Sequence, residues 1–315
     1  MINLPTVTTL LLKHDKSVLH VTLNRPEVRN ALNHTMVSEL NAVFDAVLQA
    51  GPSEVRALVL RGAGGHFSAG ADLKEMMSAR DTGSRSVGAG AGAVVPTQPQ
   101  LAGASAPPAP TSLRSGTVSE PPSMKPPKPG EPDPIVVFNR GFGSMLRKVT
   151  ALPCVVVAVC EGSVLAGAFG FACVSDIALA QTDTRFGVPE TTRGLPPAQI
   201  APFIVERIGL TQARRLCLTG AMFNGVEAKR LGIVHDTFAD ENDLLVKLGE
   251  TLKQVLNCAP QANAVTKSIV VNAMRSDMDA VLDDAAQKFA ACVRGPEAPE
   301  GITAFMQKRA PKWAQ

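Results

Sequence analysis

What most constrains this chain is the order strand, helix, strand near its start. Residues 8–23 read as two strands around a polar turn, His14-Asp15-Lys16-Ser17, with Leu10–Leu12 before it and Val18–Leu23 after. Asn33 is placed to cap a helix whose apolar positions Met36, Val37, Leu40, Val43, Phe44 and Val47 recur at three and four. Val55–Leu60 is then a short strand running into the turn Gly62-Ala63-Gly64-Gly65. That order implies a crossover connection and a parallel-type sheet.

The pattern returns further along. Ile135–Val149 reads as a helix, Cys154–Val159 as a buried strand and Asp176–Ala180 as another, with the small residues Gly162–Gly170 between them. From Thr211 the chain is mostly helical, over Gln212–Leu218, Val226–Leu231, Asn242–Leu256, Gln261–Met274, Met278–Val293 and Pro299–Arg309. The chain thus reads as a βα core followed by a helical C-terminal region.

Residues 81–134 are different in kind. Gly/Ala runs give way to Pro/Ser/Ala text, aromatic residues are absent, and half of the chain's 24 prolines fall here. Such text cannot bury enough apolar surface to offset its conformational entropy, so the expectation is a disordered insertion, with passive disorder favoured over a lid. The remaining length is ample for a core without covalent staples.

Composition narrows the function. A formal charge of +3 demands neither nucleic acid nor an acidic membrane surface, although a local patch could still hold a nucleotide phosphate. The six cysteines, Cys154, Cys160, Cys173, Cys217, Cys258 and Cys292, lack CxxC spacing and lie in apolar or helical stretches, as reduced core thiols do. No secretory leader and no membrane span are evident, so a cytoplasmic location is expected.

Two loops of small residues stand out, Ala69-Gly70-Ala71 and Ala166-Gly167-Ala168. At helix N-termini such loops can present free backbone N–H groups to an anion, or can simply be tight turns that pack helix on sheet. Glu190, in Gly187-Val188-Pro189-Glu190, is either a proton-transfer group in an apolar pocket or a helix-start partner of the dipole.

Five phrases in order carry a resemblance: Asn24-Arg25-Pro26 with Asn30-Ala31-Leu32; His66–Met76; Gly162–Ala168; Arg185–Glu190 with Gly194–Gln199; and Glu300–Phe305. Together they resemble the crotonase (enoyl-CoA hydratase/isomerase) family over nearly the whole chain except residues 81–134. The resemblance implies an α/β fold, a crotonase-like ββα spiral core over residues 1–80 and 135–210, and a helical trimerisation region over 211–315. It implies an acyl-CoA thioester substrate, no metal or other cofactor, and a homotrimer or homohexamer. By the same resemblance the N–H groups of Ala71 and Gly167 form an oxyanion hole, and Glu190 is the catalytic acid/base. Arg25, Ala69, Ala71, Asp72, Leu73, Phe305 and Lys308 match CoA-binding positions, the last two reaching a neighbouring subunit's nucleotide.

One departure matters. Where hydratases of this family carry a first glutamate, this chain has Gly170; Glu161 is displaced from that position. Gln199 stands where a glycine is usual, as a substrate-facing polar contact or a helix-start residue. Phe169–Asp176, Leu195–Phe203 and Arg207–Arg215 are similar to the family's isohexenylglutaconyl-CoA hydratases, which serve acyclic terpene degradation. That implies hydration of a branched enoyl thioester bearing a free carboxylate. The alternatives are a double-bond isomerase using one glutamate, and a non-catalytic CoA-binding subunit.

Overall fold

A computed structural model describes residues 2–72, 75, 130 and 132–315. Nearly all of these belong to one compact unit, Met1–Leu73 with Pro134–Gln315. A second unit, Lys74–Asp133, contributes only Glu75, Gly130, Pro132 and Asp133 to the description. The expectation of disorder over 81–134 therefore lies almost wholly outside the described residues, as does Leu73.

Among the described residues six strands form the main sheet. β1 (Leu10–Asp15) and β2 (Val18–Leu23) are a hairpin, and β1 runs on through His14 and Asp15, so the turn is tighter than the sequence suggests. Lys16, at φ +54°, makes that tight turn. β3 (Ala57–Gly62), β4 (Val155–Cys160), β6 (Ile177–Gln181) and β9 (Asp236–Phe238) follow in parallel, giving the order β1-β2-β3-β4-β6-β9. A second sheet holds β5 (Ser163–Leu165), β7 (Arg185–Gly187) and β8 (Met222–Phe223), in the order β5-β7-β8. These short strands, like β9, are too brief to show a period in the sequence.

The crossover helices are α1 (His34–Ala50) and α2 (Pro134–Ala151). Asn33 caps α1 by accepting the Met36 N–H at 2.9 Å, and Met36, Leu40, Val43, Phe44 and Val47 are all buried. Burying each such side chain contributes roughly 1.5–3 kcal/mol. Side chains of the central strands alternate between two cores. Leu58, Leu60, Val156, Ala158 and Cys160 face α1, α2 and the second sheet, whereas Val59, Val157, Val159 and Leu179 meet Leu244 and Val255. The latter two lie on α6 (Glu241–Asn257).

Between β5 and β6 lies α3 (Gly167–Val174), apolar throughout and almost fully buried. The C-terminal helices are α4 (Ala201–Thr219), α5 (Gly225–Arg230), α6, α7 (Pro260–Asn272), α8 (Met278–Arg294) and α9 (Glu297–Met306). α4 starts well before the expected Gln212, and its backbone breaks helical form at Gly209 (φ +74°, ψ 162°). Among the described residues no helix is long and apolar enough to cross a membrane. All six cysteines are free, and burial pushes the Cys154 and Cys173 thiols up to about 12.

Candidate active site

The site begins with a buried asparagine. Asn30 is 0% exposed, and its carboxamide accepts the Arg25 N–H (2.9 Å) while donating to the Ala63 and His66 carbonyls (2.9 and 2.6 Å). Arg29 and Asn30 both take left-handed backbone (φ +51° and +54°), which folds residues 25–32 back against 63–66. The next segment is laid along this turn: Ser68 Oγ donates to the Asn30 carbonyl at 2.7 Å and accepts the Gly70 N–H, and the Ala69 N–H donates to Arg29.

A parallel bridge then joins Leu32 to Ala71. It engages the Gly70 carbonyl and the Asp72 N–H, at 2.8 and 2.9 Å from their Leu32 partners. Backbone groups alternate along an extended chain, so the Ala71 N–H points away from Leu32, and it has no acceptor among the described residues.

The second loop lies alongside. Ser68 bridges Val164 in parallel, and Val164 in turn pairs with Phe186. Three residues past this shared rung come Ala71 on one strand and Gly167 on the next; four past it on the third comes Glu190. Gly70 permits the close approach: it holds φ +90°, and a Cβ there would lie 2.7 Å from the Leu165 carbonyl oxygen. Gly167 is the first residue of α3, which no side chain caps, so its N–H is one of the helix's orphan donors at the positive end of the dipole. Ala166 before it, with its N–H on the Gly187 carbonyl (3.1 Å), sits at φ +52°, ψ −124°, strained for a residue with a Cβ.

Glu190 stands in the 3-10 turn Pro189–Arg193. Its Oε2 is buried and accepts no hydrogen bond among the described residues. Burial pushes its carboxyl above the usual range, outweighing its own backbone N–H and the charge of Arg193. A carboxyl held this way can exchange a proton nearer neutrality than a surface glutamate can.

A side chain at Gly170 would have to displace its neighbours. A Cβ there would meet Ile200 Cγ2 and Leu146 Cδ1, each at 2.8 Å. Glu161 does not stand in for a second carboxylate, because its own is clamped by Arg61, Nε to Oε2 at 2.6 Å and Nη2 to Oε1 at 2.9 Å. Gln199 donates to Asn139 Oδ1 at 2.8 Å, and its Oε1 rests on Gly143, just 2.0 Å from where a Cβ would be. Phe142, which packs on Gly167, meets Phe171 edge-on at 6.1 Å.

Nothing in the sequence pattern marks Asn139, Phe142, Leu146 or Ile200 as part of a site. The first three share one face of α2 at spacings of three and four, a signal that marks a packed face without telling what it packs on.

The remaining expected residues are placed as follows. Arg25 is held internally, Nη1 on the Ala31 carbonyl (2.6 Å) and both terminal nitrogens 3.1 Å from Asp72 Oδ2. Arg25 and Asp72 thus brace the Ala69–Asp72 segment against its turn. Phe305, 84% exposed, lies in the last turn of α9 and Lys308 just beyond it; among the described residues no hydrogen bond joins either to the loops above.

The family model for enoyl-CoA hydratase/isomerase matches residues 13–89 and 130–315. The chain therefore belongs to the enoyl-CoA hydratase/isomerase family, and its fold is the crotonase fold. It is 46% identical to Pseudomonas aeruginosa AtuE, whose structure superposes with a TM-score of 0.80 over 98% of this chain and 100% of that one. An enoyl-CoA hydratase/isomerase from Marinobacter aquaeolei is 44% identical, with a TM-score of 0.79 over 98% and 99% of the two chains. Among curated relatives, the 2,3-dehydroadipyl-CoA hydratase of Escherichia coli is 25% identical over 97% of this chain and 98% of its own.

Proposed function

We propose that this enzyme adds water across the 2,3 double bond of a branched, carboxylated enoyl-CoA. The thioester oxygen lies between the N–H groups of Ala71 and Gly167, and Glu190 moves the proton. As the water oxygen bonds to C3, Glu190 takes a proton from it, and the C2–C3 π pair shifts onto the thioester oxygen as an enolate. C2 then takes the proton from Glu190, so the net change is one water added and the carboxylate restored. Each oxyanion donor is worth about 2.7–4 kcal/mol in the transition state. One observation carries this reading: the common rung of Ser68, Val164 and Phe186, beyond which both donors and the acid follow within four residues.

The hydrocarbon beside Gly170 supports an unusual substrate, because no second carboxylate among the described residues takes that position to hold water. The E. coli relative is named for a thioester whose acyl chain ends in a carboxylate. Isohexenylglutaconyl-CoA, from acyclic terpene breakdown, combines a branch with such a group and is our candidate. CoA itself lies along Ala69–Asp72 and Arg25, with Phe305 and Lys308 reaching it from a neighbouring subunit of a trimer or hexamer. The exposed apolar side chains Phe289, Ile302, Phe305 and Met306 support that assembly. The scheme needs no metal or redox cofactor, and we place the enzyme in the cytoplasm.

The same hydrocarbon favours a second reading, double-bond isomerisation, which requires only one shuttling base. Turnover of a panel of enoyl-CoA thioesters in heavy-oxygen water decides between them. Hydration places the label in the acyl chain; bond migration without label supports the isomerase, and no turnover of any thioester removes both.

A further inference from the structure

The face of α2 turned toward the site carries Asn139, Phe142, Gly143 and Leu146, at i, i+3, i+4 and i+7. Three of these positions reach the reaction centre's own helix or the loop after Glu190. Phe142 packs on Gly167, Leu146 on Gly170, and Gly143 receives the side chain of Gln199. The fourth, Asn139, accepts the Gln199 amide at 2.8 Å. The contacts of Gly167 and Gly170 themselves are hydrocarbon, Leu32 and Phe142 on the first and Leu146 and Ile200 on the second, with Phe171 edge-on to Phe142. Two carboxamides therefore form a polar step at the rim of an apolar wall, one helical turn from the residue that touches the Gly167 donor.

The chemistry of that step is one-sided. Two primary amides hold four N–H bonds between them, and their mutual hydrogen bond uses one. Among the described residues three N–H donors remain, whichever way round the amides lie. Gln199 Oε1 meanwhile is pressed on the α2 backbone at Gly143, where only a glycine leaves it room. Asn139 stays open to solvent, so its amide is reachable. A donor-rich, uncharged step on a hydrocarbon wall suits an anionic acceptor carried by an otherwise apolar ligand.

We propose that Asn139 and Gln199 form a clasp that receives the free carboxylate of the substrate's acyl chain and sets specificity for carboxylated thioesters. The proposal rests on the enoyl-thioester reading above. Its test compares kcat/KM for crotonyl-CoA and for glutaconyl-CoA, the homologue bearing a terminal carboxylate. The proteins are the full-length wild type, Asn139→Leu, Gln199→Leu and Gly143→Ala, with thermal midpoints recorded for each. The wild type is expected to favour the carboxylated thioester. Each variant should lower that preference roughly ten- to a hundredfold, chiefly through KM. Gln199→Glu, which keeps the shape but brings a like charge, should lower it further. A wild type with no preference, or variants that lose both thioesters equally or neither, would overturn the clasp and leave a packing contact. A wild type inert toward every enoyl-CoA would overturn the hydratase reading itself, and the clasp with it.

Discussion

Ile200 occupies the space beside Gly170: its Cγ2 lies 2.8 Å from where a Cβ would stand, as does Leu146 Cδ1. Two neighbouring side chains thus fill the volume that a side chain at position 170 would need. Gly170→Ala sets a helix-propensity gain of about 1 kcal/mol against an overpacking cost of about 1–3 kcal/mol. A net loss of up to about 2 kcal/mol is expected. Gly170→Glu should lose more, since its carboxyl enters hydrocarbon unpaired. Adding Ile200→Ala should recover part of that loss through their contact. Urea midpoints at constant slope measure all three; an unshifted Gly170→Glu would show that the pocket is open.

Glu190 links catalysis to stability. Glu190→Gln should lower kcat by about 10²–10⁴-fold, the usual worth of a positioned acid or base, while leaving CoA affinity intact. Burial raises this carboxyl's pKa in the fold, so its contribution to stability is full below the ordinary value of 4.5 and is lost as pH rises through the folded value. At neutral pH the variant should therefore melt higher than the wild type, and the gap should close in acid. Equal turnover, or a gap that widens in acid, would remove Glu190 from the site.

How far the sequence carried this picture follows from where each signal resides. The α1 stripe from Met36 to Val47 and the runs at Val155–Cys160 were legible because burial imposes a period on consecutive residues. Gly167 and Ala71 were legible only through the order of short phrases. What sets them side by side, the rung of Ser68, Val164 and Phe186, joins residues far apart in the chain through backbone bonds that no side chain records. Ile200 and Leu146 were hidden for a similar reason: each reads as ordinary core, and only the fold shows that they share a glycine's vacant side.

Ala166 provides a test of strain at the site. Its backbone, φ +52° and ψ −124°, lies in a region costly for residues bearing a Cβ, about 1–3 kcal/mol. Ala166→Gly removes that cost but adds about 0.5–1 kcal/mol of chain entropy to the unfolded state. The variant should be more stable by about 1 kcal/mol, read as a higher urea midpoint. A lower midpoint would mean that the alanine methyl contributes more by packing than its backbone loses by strain.

His235 should set part of the acid limit of stability. Its Nδ1 accepts the Ala178 N–H at 3.0 Å and lies 3.3 Å from Arg207 Nη2, two contacts that require this nitrogen to be unprotonated. Burial lowers its pKa, the Arg207 charge adds to that, and Asp176 opposes it. A lowered histidine contributes stability that is present above the unfolded value of 6.5 and lost as pH falls through the folded value. His20 is lowered too, by burial and then by Lys13, so the two act in the same window. Replacing His235 with asparagine, whose Oδ1 can accept the same N–H without titrating, should flatten the fall in urea midpoint from pH 7 to 5. His20 should leave a residual slope, which a second substitution, His20→Gln, should reduce further. Parallel midpoint curves for wild type and His235→Asn would show that this imidazole does not couple to folding.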